Sequence, residues 1–250
     1  MEAIFTTENI FSLLTLTLME IVLGIDNIVF ISIITNRVAA DQQNKARVFG
    51  LALALITRII LLFMVSWLVH LTEPLFEIFN KEISIKDLIL IAGGLFLVYK
   101  STTEIFNKME THESETVAGN TTLTFASAIG QIILLDIIFS IDSIITAVGL
   151  VDSLYIMIIA VVLSMVVMLI FSKGIGTFIN NNPSVKIIAL AFLVMIGTML
   201  LAEGFHIHFP KGYIYFSMAF ALAIEFLNMK MRGKFKKIKK TTITHNIINN

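Results

Sequence analysis

The sequence predicts an all-α membrane protein of seven transmembrane helices, arranged as two inverted three-helix repeats plus one extra C-terminal helix. Three observations predict it. Of the 250 residues 57% are hydrophobic and 14% charged, against soluble averages of about 45–50% and about 25%, and mean hydropathy is +0.90. Apolar runs of membrane-spanning length, roughly 20 residues, recur from end to end. An acidic motif in the first run returns in the fourth.

The first span is placed at Ile10 to Ile34. The residues before it, Met1 to Glu8, hold two acids and no Lys or Arg, unlike the basic region of a cleavable signal peptide, so this segment is expected to be retained. The second, Val48 to Val69, carries Arg58 at mid-span. The third runs from Leu88 to Ile105, the fourth from Leu123 to Leu150, the fifth from Leu154 to Phe171, the sixth from Val185 to Ala202 and the seventh from Tyr213 to Met229. Continuous apolar runs favour helices over the alternating ten-residue segments of a membrane barrel, and helices satisfy their own backbone in lipid. One transmembrane domain therefore covers 1–230, with repeat one at about 10–105, repeat two at about 123–202 and the seventh helix at 213–229; a basic cytoplasmic tail follows at 231–250.

Loop charges orient the bundle. One side receives Arg37, Lys45, Arg47, Lys100, Lys108, Lys173, Lys186 and the seven basic residues between Lys230 and Lys240; the other receives Lys81, Lys86 and Lys211. Fourteen against three places the N-terminus outside and the C-terminus in the cytoplasm of a cell-membrane protein. That requires an odd number of spans. The tail reads as a positive-inside anchor that touches anionic lipid. Zero formal net charge gives no sign of a nucleic-acid partner. The absence of cysteine removes disulfides, thiolate metal sites and thiol catalysis.

The repeat is the most informative feature. EIVLGIDNI, Glu20 to Ile28, matches DIIFSIDSI, Asp136 to Ile144, at four of nine positions, and acid faces acid at both Glu20/Asp136 and Asp26/Asp142. A weaker echo relates the Gly94 region of the third span to the Gly197 region of the sixth. Each half is thus a three-helix unit, and because three is odd the second copy enters the membrane from the opposite side. Secondary transporters built this way hold their substrate near the midplane between the repeats.

A carboxylate at mid-membrane costs at least about 2.5 kcal/mol, so such residues face a cavity or a partner. The alternative is that protonated acids or buried ion pairs simply hold the bundle together. At about 100° per residue, Glu20 and Asp26 point roughly 120° apart, whereas Glu20 aligns with Asn27, Asp136 with Ser143 and Gln131 with Asp142. Either different acids serve adjacent sites, or the helices unwind near Gly24 and Ser140 so that the acids converge. Glu20, Asp26, Asn27, Gln131, Asp136, Asp142 and Ser143 form the candidate metal site. Their all-oxygen chemistry suits Mg2+, Ca2+ or Mn2+. Four acids exceed what one divalent ion neutralises, so Arg58 is expected as a partner, or protons as exchange partners.

Weaker features keep two readings each. Lys100 is expected to snorkel, with an ion pair to Glu225 as the alternative. Glu203, His206 and His208, at the outer end of the sixth span, read as interfacial structure or as an outer metal site. The twelve Met read as lipid or core packing, with a soft-metal path as the alternative. Glu110, His112, Glu113 and Glu115 read as a solvated acidic loop or a cation-concentrating one.

MEIVLGIDNIVFIS (Met19 to Ser32) paired with LLDIIFSIDSIITAVGL (Leu134 to Leu150), followed by AEGFHIHFPKGYIYFSMAFALAIEFLN (Ala202 to Asn228), resembles the TerC family of membrane proteins over essentially the whole chain. The resemblance implies a seven-helix fold with two three-helix repeats and Mn2+ export that protects cells against excess manganese. The family also carries a tellurite-resistance name, and some members are described as helping other membrane proteins to be metallated or assembled. By motif match, Glu20, Asp26, Asn27, Asp136, Asp142 and Ser143 take the ion-site role; Ser143 stands where some members have Asn, a shorter donor without an amide carbonyl. Regulation through a cytosolic domain of the kind attached to longer relatives is not expected.

The leading expectation is therefore a secondary transporter exporting Mn2+, with Mn2+ as cargo, no tightly bound cofactor, protons as exchange partner and the bilayer as surroundings; protein partners and homo-oligomers stay open. A membrane scaffold assisting other proteins is the runner-up. An enzyme is not expected, because neither a His-Glu-x-x-His nor a GxSxG signature is present. A P-loop for primary pumping is also missing.

Overall fold

A computed structural model describes residues 6–78, 81–110, 123–151 and 153–248. Its elements are α1 (Thr7–Thr35), α2 (Gln43–Phe63), α3 (Val65–His70), β1 (Pro74–Ile78), β2 (Lys81–Ser84), α4 (Ile85–Glu110), α5 (Phe125–Val148), α6 (Leu154–Asn181), α7 (Pro183–Gly204) and α8 (Lys211–Ile248). Seven of them, α1, α2 and α4 to α8, are long and apolar enough to cross a membrane. Threonine opens both motif-bearing helices: Thr6 and Thr124 accept hydrogen bonds from the backbone N–H groups of Asn9 and Ser127 at 3.2 and 3.3 Å, satisfying donors that a first turn leaves orphaned.

Four boundaries differ from the sequence reading. The second span ends at Phe63, and the rest of its apolar run becomes the separate turn of helix α3. Beyond α3 stands a two-stranded antiparallel hairpin, Phe76 opposite Ile83, which an all-helical reading does not contain. The third span lengthens to Ile85–Glu110 and the fifth to Asn181, where Pro183 opens α7 at a position that needs no backbone donor. The segment taken as a tail from 231 continues α8 as helix to Ile248. His112, Glu113 and Glu115 lie outside the described residues.

The spans pair in a set pattern. α1 lies chiefly against α6, α5 against α2, and α4 against α7. Exchanging α1 with α5, α2 with α6 and α4 with α7 carries this pattern onto itself. Glycines fix the closest approaches: a Cβ on Gly94 would sit 2.6 Å from the Gly197 carbonyl oxygen, and one on Gly197 would sit 2.9 Å from that of Gly94. Small residues at such crossings let transmembrane backbones approach and gain dispersion contacts that lipid cannot supply. Leu16, Ile33, Ile34, Ile132, Leu135, Ile144 and Met168 fill the core around α1 and α5. α8 is peripheral, presenting Phe216, Phe220, Phe226 and Leu227 outward.

Candidate metal site

Both motifs lie on unbroken helices, α1 from Thr7 to Thr35 and α5 from Phe125 to Val148. Of the two geometries the sequence left open, the structure therefore lacks the unwound one: the acids of each motif stay on one continuous helix. Gly24 is not an unwinding point. Its missing side chain makes room for the Met168 sulfur of α6.

The four acids divide into two pairs, each with one member from each motif. Glu20 and Asp136 meet on Arg58, whose two terminal nitrogens donate to Glu20 Oε2 at 2.5 Å and Asp136 Oδ1 at 2.8 Å. All three are buried. Asp136 also accepts from Asn27 Nδ2 and Ser140 Oγ at 3.5 Å, weak contacts at the limit of hydrogen-bond length. Arg58 Nε has no hydrogen-bond partner among the described residues. This triad is the arginine partnership that a lone mid-span cation demands. It sets two carboxylates against one guanidinium.

The second pair, Asp26 and Asp142, lines a cavity of about 30 Å³ together with Asn27, Arg58, Ser143, Lys211, Tyr215 and an apolar wall that includes Leu23, Phe139, Ile196 and Met199. That volume holds roughly one or two waters, so a fully hydrated divalent ion would have to exchange most of its water for protein oxygens. Asp26 makes no salt bridge among the described residues. Asp142 makes two, to Lys86 Nζ at 3.3 Å and to Lys211 Nζ. No three His, Asp or Glu side chains close on one point among the described residues, so in this conformation the oxygen donors are two carboxylates with an amide, a serine hydroxyl and a phenol around them.

Of the seven residues singled out from sequence, Asp26, Asn27, Asp142 and Ser143 thus share the cavity, while Glu20 and Asp136 stand behind it on Arg58. Gln131 does not line it; its amide donates to Ser127 Oγ at 3.1 Å and its Oε1 is buried without a partner among the described residues. Eleven residues put Gln131 on the face of Asp142 but roughly 16 Å away along the axis. Lys86, Lys211 and Tyr215 were not seen from sequence as parts of the site. A signal existed for the lysines, since each occupies the first turn of a helix, where the macrodipole disfavours a cation.

The outer rim is held by a further polar group. Asp87 closes a box with Ser84 at the start of α4, accepting from Ser84 N at 2.8 Å and Ser84 Oγ at 2.6 Å, and its Oδ2 lies 3.0 Å from His206 Nε2. His206 adopts φ 59°, an unusual conformation for a residue other than glycine. Its ring ties the α7–α8 connection to α4, which is an interfacial structural role; His208 is exposed. Glu203 instead adjoins Asp142, Lys86 and Lys211. Glu225 accepts from Asn228 at 3.5 Å, and no Lys100 ion pair to it is present among the described residues.

The pattern that defines the integral membrane protein TerC family matches residues 5–240. A UPF0053 protein of Haemophilus influenzae is 48% identical over 238 residues, covering 94% of this chain and 99% of its own. The UPF0053 inner membrane protein YgdQ of Escherichia coli is 51% identical over 215 residues, covering 86% and 90%. In the longer YoaE of the same organism the identity is 45% over 229 residues, which is 92% of this chain and 44% of that protein. No solved structure matches the chain.

Proposed function

We propose that this chain, which belongs to the TerC family of integral membrane proteins, is a secondary transporter that exports a divalent metal ion, Mn2+, in exchange for protons. One observation carries the reading: the repeat-equivalent acids Asp26 and Asp142, from different halves of the chain, line one cavity beside the neutral oxygens of Asn27, Ser143 and Tyr215. Such oxygen-only donors suit hard cations, and the family resemblance narrows these to Mn2+. The pairing of α1 with α6 and of α5 with α2 supports an inverted repeat, with the cavity between its halves. The chain performs no chemistry on its cargo. The test is manganese tolerance in a sensitive host: Asp26→Asn and Asp142→Asn should each abolish protection while still reaching the membrane, and full protection by both would remove the site assignment.

The name of YgdQ supports an inner-membrane location, and the basic asymmetry supports an external N-terminus and a cytoplasmic C-terminus. Lys86 and Lys211 are engaged with Asp142, so two of the three basic residues on the sparse side have a local reason to be there. Reporters fused before Glu8 and after Lys240 should read external and cytoplasmic respectively. Both on one side would eliminate the arrangement.

A further inference from the structure

We propose that Lys86 and Lys211 are the resident counter-cations of the cavity, and that one divalent ion enters by displacing both ammonium groups from Asp142. The inference deepens the metal reading and rests on it. Each oxygen of Asp142 is taken by a different lysine: Lys86 Nζ lies 3.3 Å from Oδ1, and Lys211 Nζ donates to Oδ2. The lysines come from two elements that do not follow one another in the chain, the start of α4 and the start of α8.

Neither lysine is explained by its own helix. Both sit in a first turn, where the positive end of the macrodipole repels a cation. Their favourable partners are the cavity acids. Asp142 attracts both, Glu203 adjoins the same group, and Asp26 lies close enough to act on Lys211. The His206 to Asp87 contact holds the two lysine-bearing segments together at the rim, since Asp87 follows Lys86 directly and His206 precedes Lys211 by one short connection.

Exposure separates the partners. The Asp142 side chain is 7% exposed, whereas those of Lys86 and Lys211 are 20% and 31% exposed. The ammonium groups therefore reach inward from a wetter rim and can swing back to water on flexible stems. Charge balance then favours a divalent cargo. Exchanging two ammonium groups for one divalent ion leaves the charge of the cavity unchanged, so burial costs are not raised. A monovalent ion that displaced both would leave an uncompensated carboxylate, and one that displaced a single lysine would leave the other ammonium on Asp142. Only a divalent ion therefore clears both Asp142 oxygens at constant charge, a preference that oxygen donors alone do not supply.

The competing possibility is that the lysines merely staple α4 and α8 to α5. Manganese binding by the purified full-length chain, read from loss of the free-Mn2+ paramagnetic resonance signal, separates the two. Lys86→Met and Lys211→Met should each tighten the apparent Kd by about tenfold, as expected when a competitor for the same ligand is removed, and Lys211→Arg, which keeps the charge on a less mobile fork, should not tighten it. A second measurement needs no variant: saturating Mn2+ should raise acylation of Lys86 and Lys211 by an amine-reactive reagent several-fold, read by mass spectrometry, without a matching rise at Lys173. Mn2+ binding with unchanged or weaker affinity in the methionine variants, or unchanged labelling, overturns this inference and leaves the transport reading in place. No Mn2+ binding by the wild type or any variant overturns the transport reading, and this inference with it.

Discussion

The two acid pairs are built from the same motif, yet they are neutralised in opposite ways. Glu20 and Asp136 share Arg58, whose side chain is 2% exposed. Asp26 and Asp142, roughly 9 Å further along their helices, line a cavity in which Asp142 meets lysines that reach in from the rim. Arginine presents a planar fork that fits two carboxylates in one fixed geometry, whereas lysine is a mobile point charge on a flexible stem. The first pair therefore makes a fixed joint between α1, α2 and α5. The second makes a site whose charge can be exchanged. Repetition of a motif supplied two acids per half, and the type and anchorage of the counter-cation divided their duties.

Stability measurements can break that comparison. Arg58→Met strands two buried carboxylates and should lower unfolding free energy by about 3–5 kcal/mol, the largest effect expected at either pair. Arg58→Lys should fall between that variant and wild type, because an ammonium reaches two acids less well than a fork. Lys86→Met leaves Asp142 its second partner, Lys211, and should cost only about 1 kcal/mol, well below the loss of a sole buried partner. Thermal unfolding in one detergent ranks all three. If Lys86→Met melts as low as Arg58→Met, the pairs do not differ in kind.

Much of this division was legible in the sequence, for physical reasons that can be named. Mid-membrane carboxylates at Glu20, Asp26, Asp136 and Asp142 announce themselves because lipid makes them costly, and Arg58 is recognisable as a partner for the same reason. The Gly94 and Gly197 echo was legible as part of the repeat, while the close helix crossing it makes is seen only in the structure. What stayed hidden depends on contacts between distant elements. Lys86 and Lys211 look like outer-loop charges until α4 and α8 are seen beside Asp142, and helical phase along α5 says nothing about either. Gly24 looked like a place for unwinding because a glycine carries no record of which side chain fills its space, here that of Met168. Gln131 had the right phase and the wrong height. The paired strands Pro74–Ile78 and Lys81–Ser84 are too short for hydropathy to mark.

Coupled flux tests the central claim most directly. In proteoliposomes loaded with a pH dye, an inward Mn2+ gradient should drive Mn2+ in and protons out, and both movements should vanish when Asp26→Asn and Asp142→Asn are combined in a chain that still folds. Mn2+ uptake without a pH change, or undiminished uptake by the double variant, would contradict the exchange of metal for protons through this cavity.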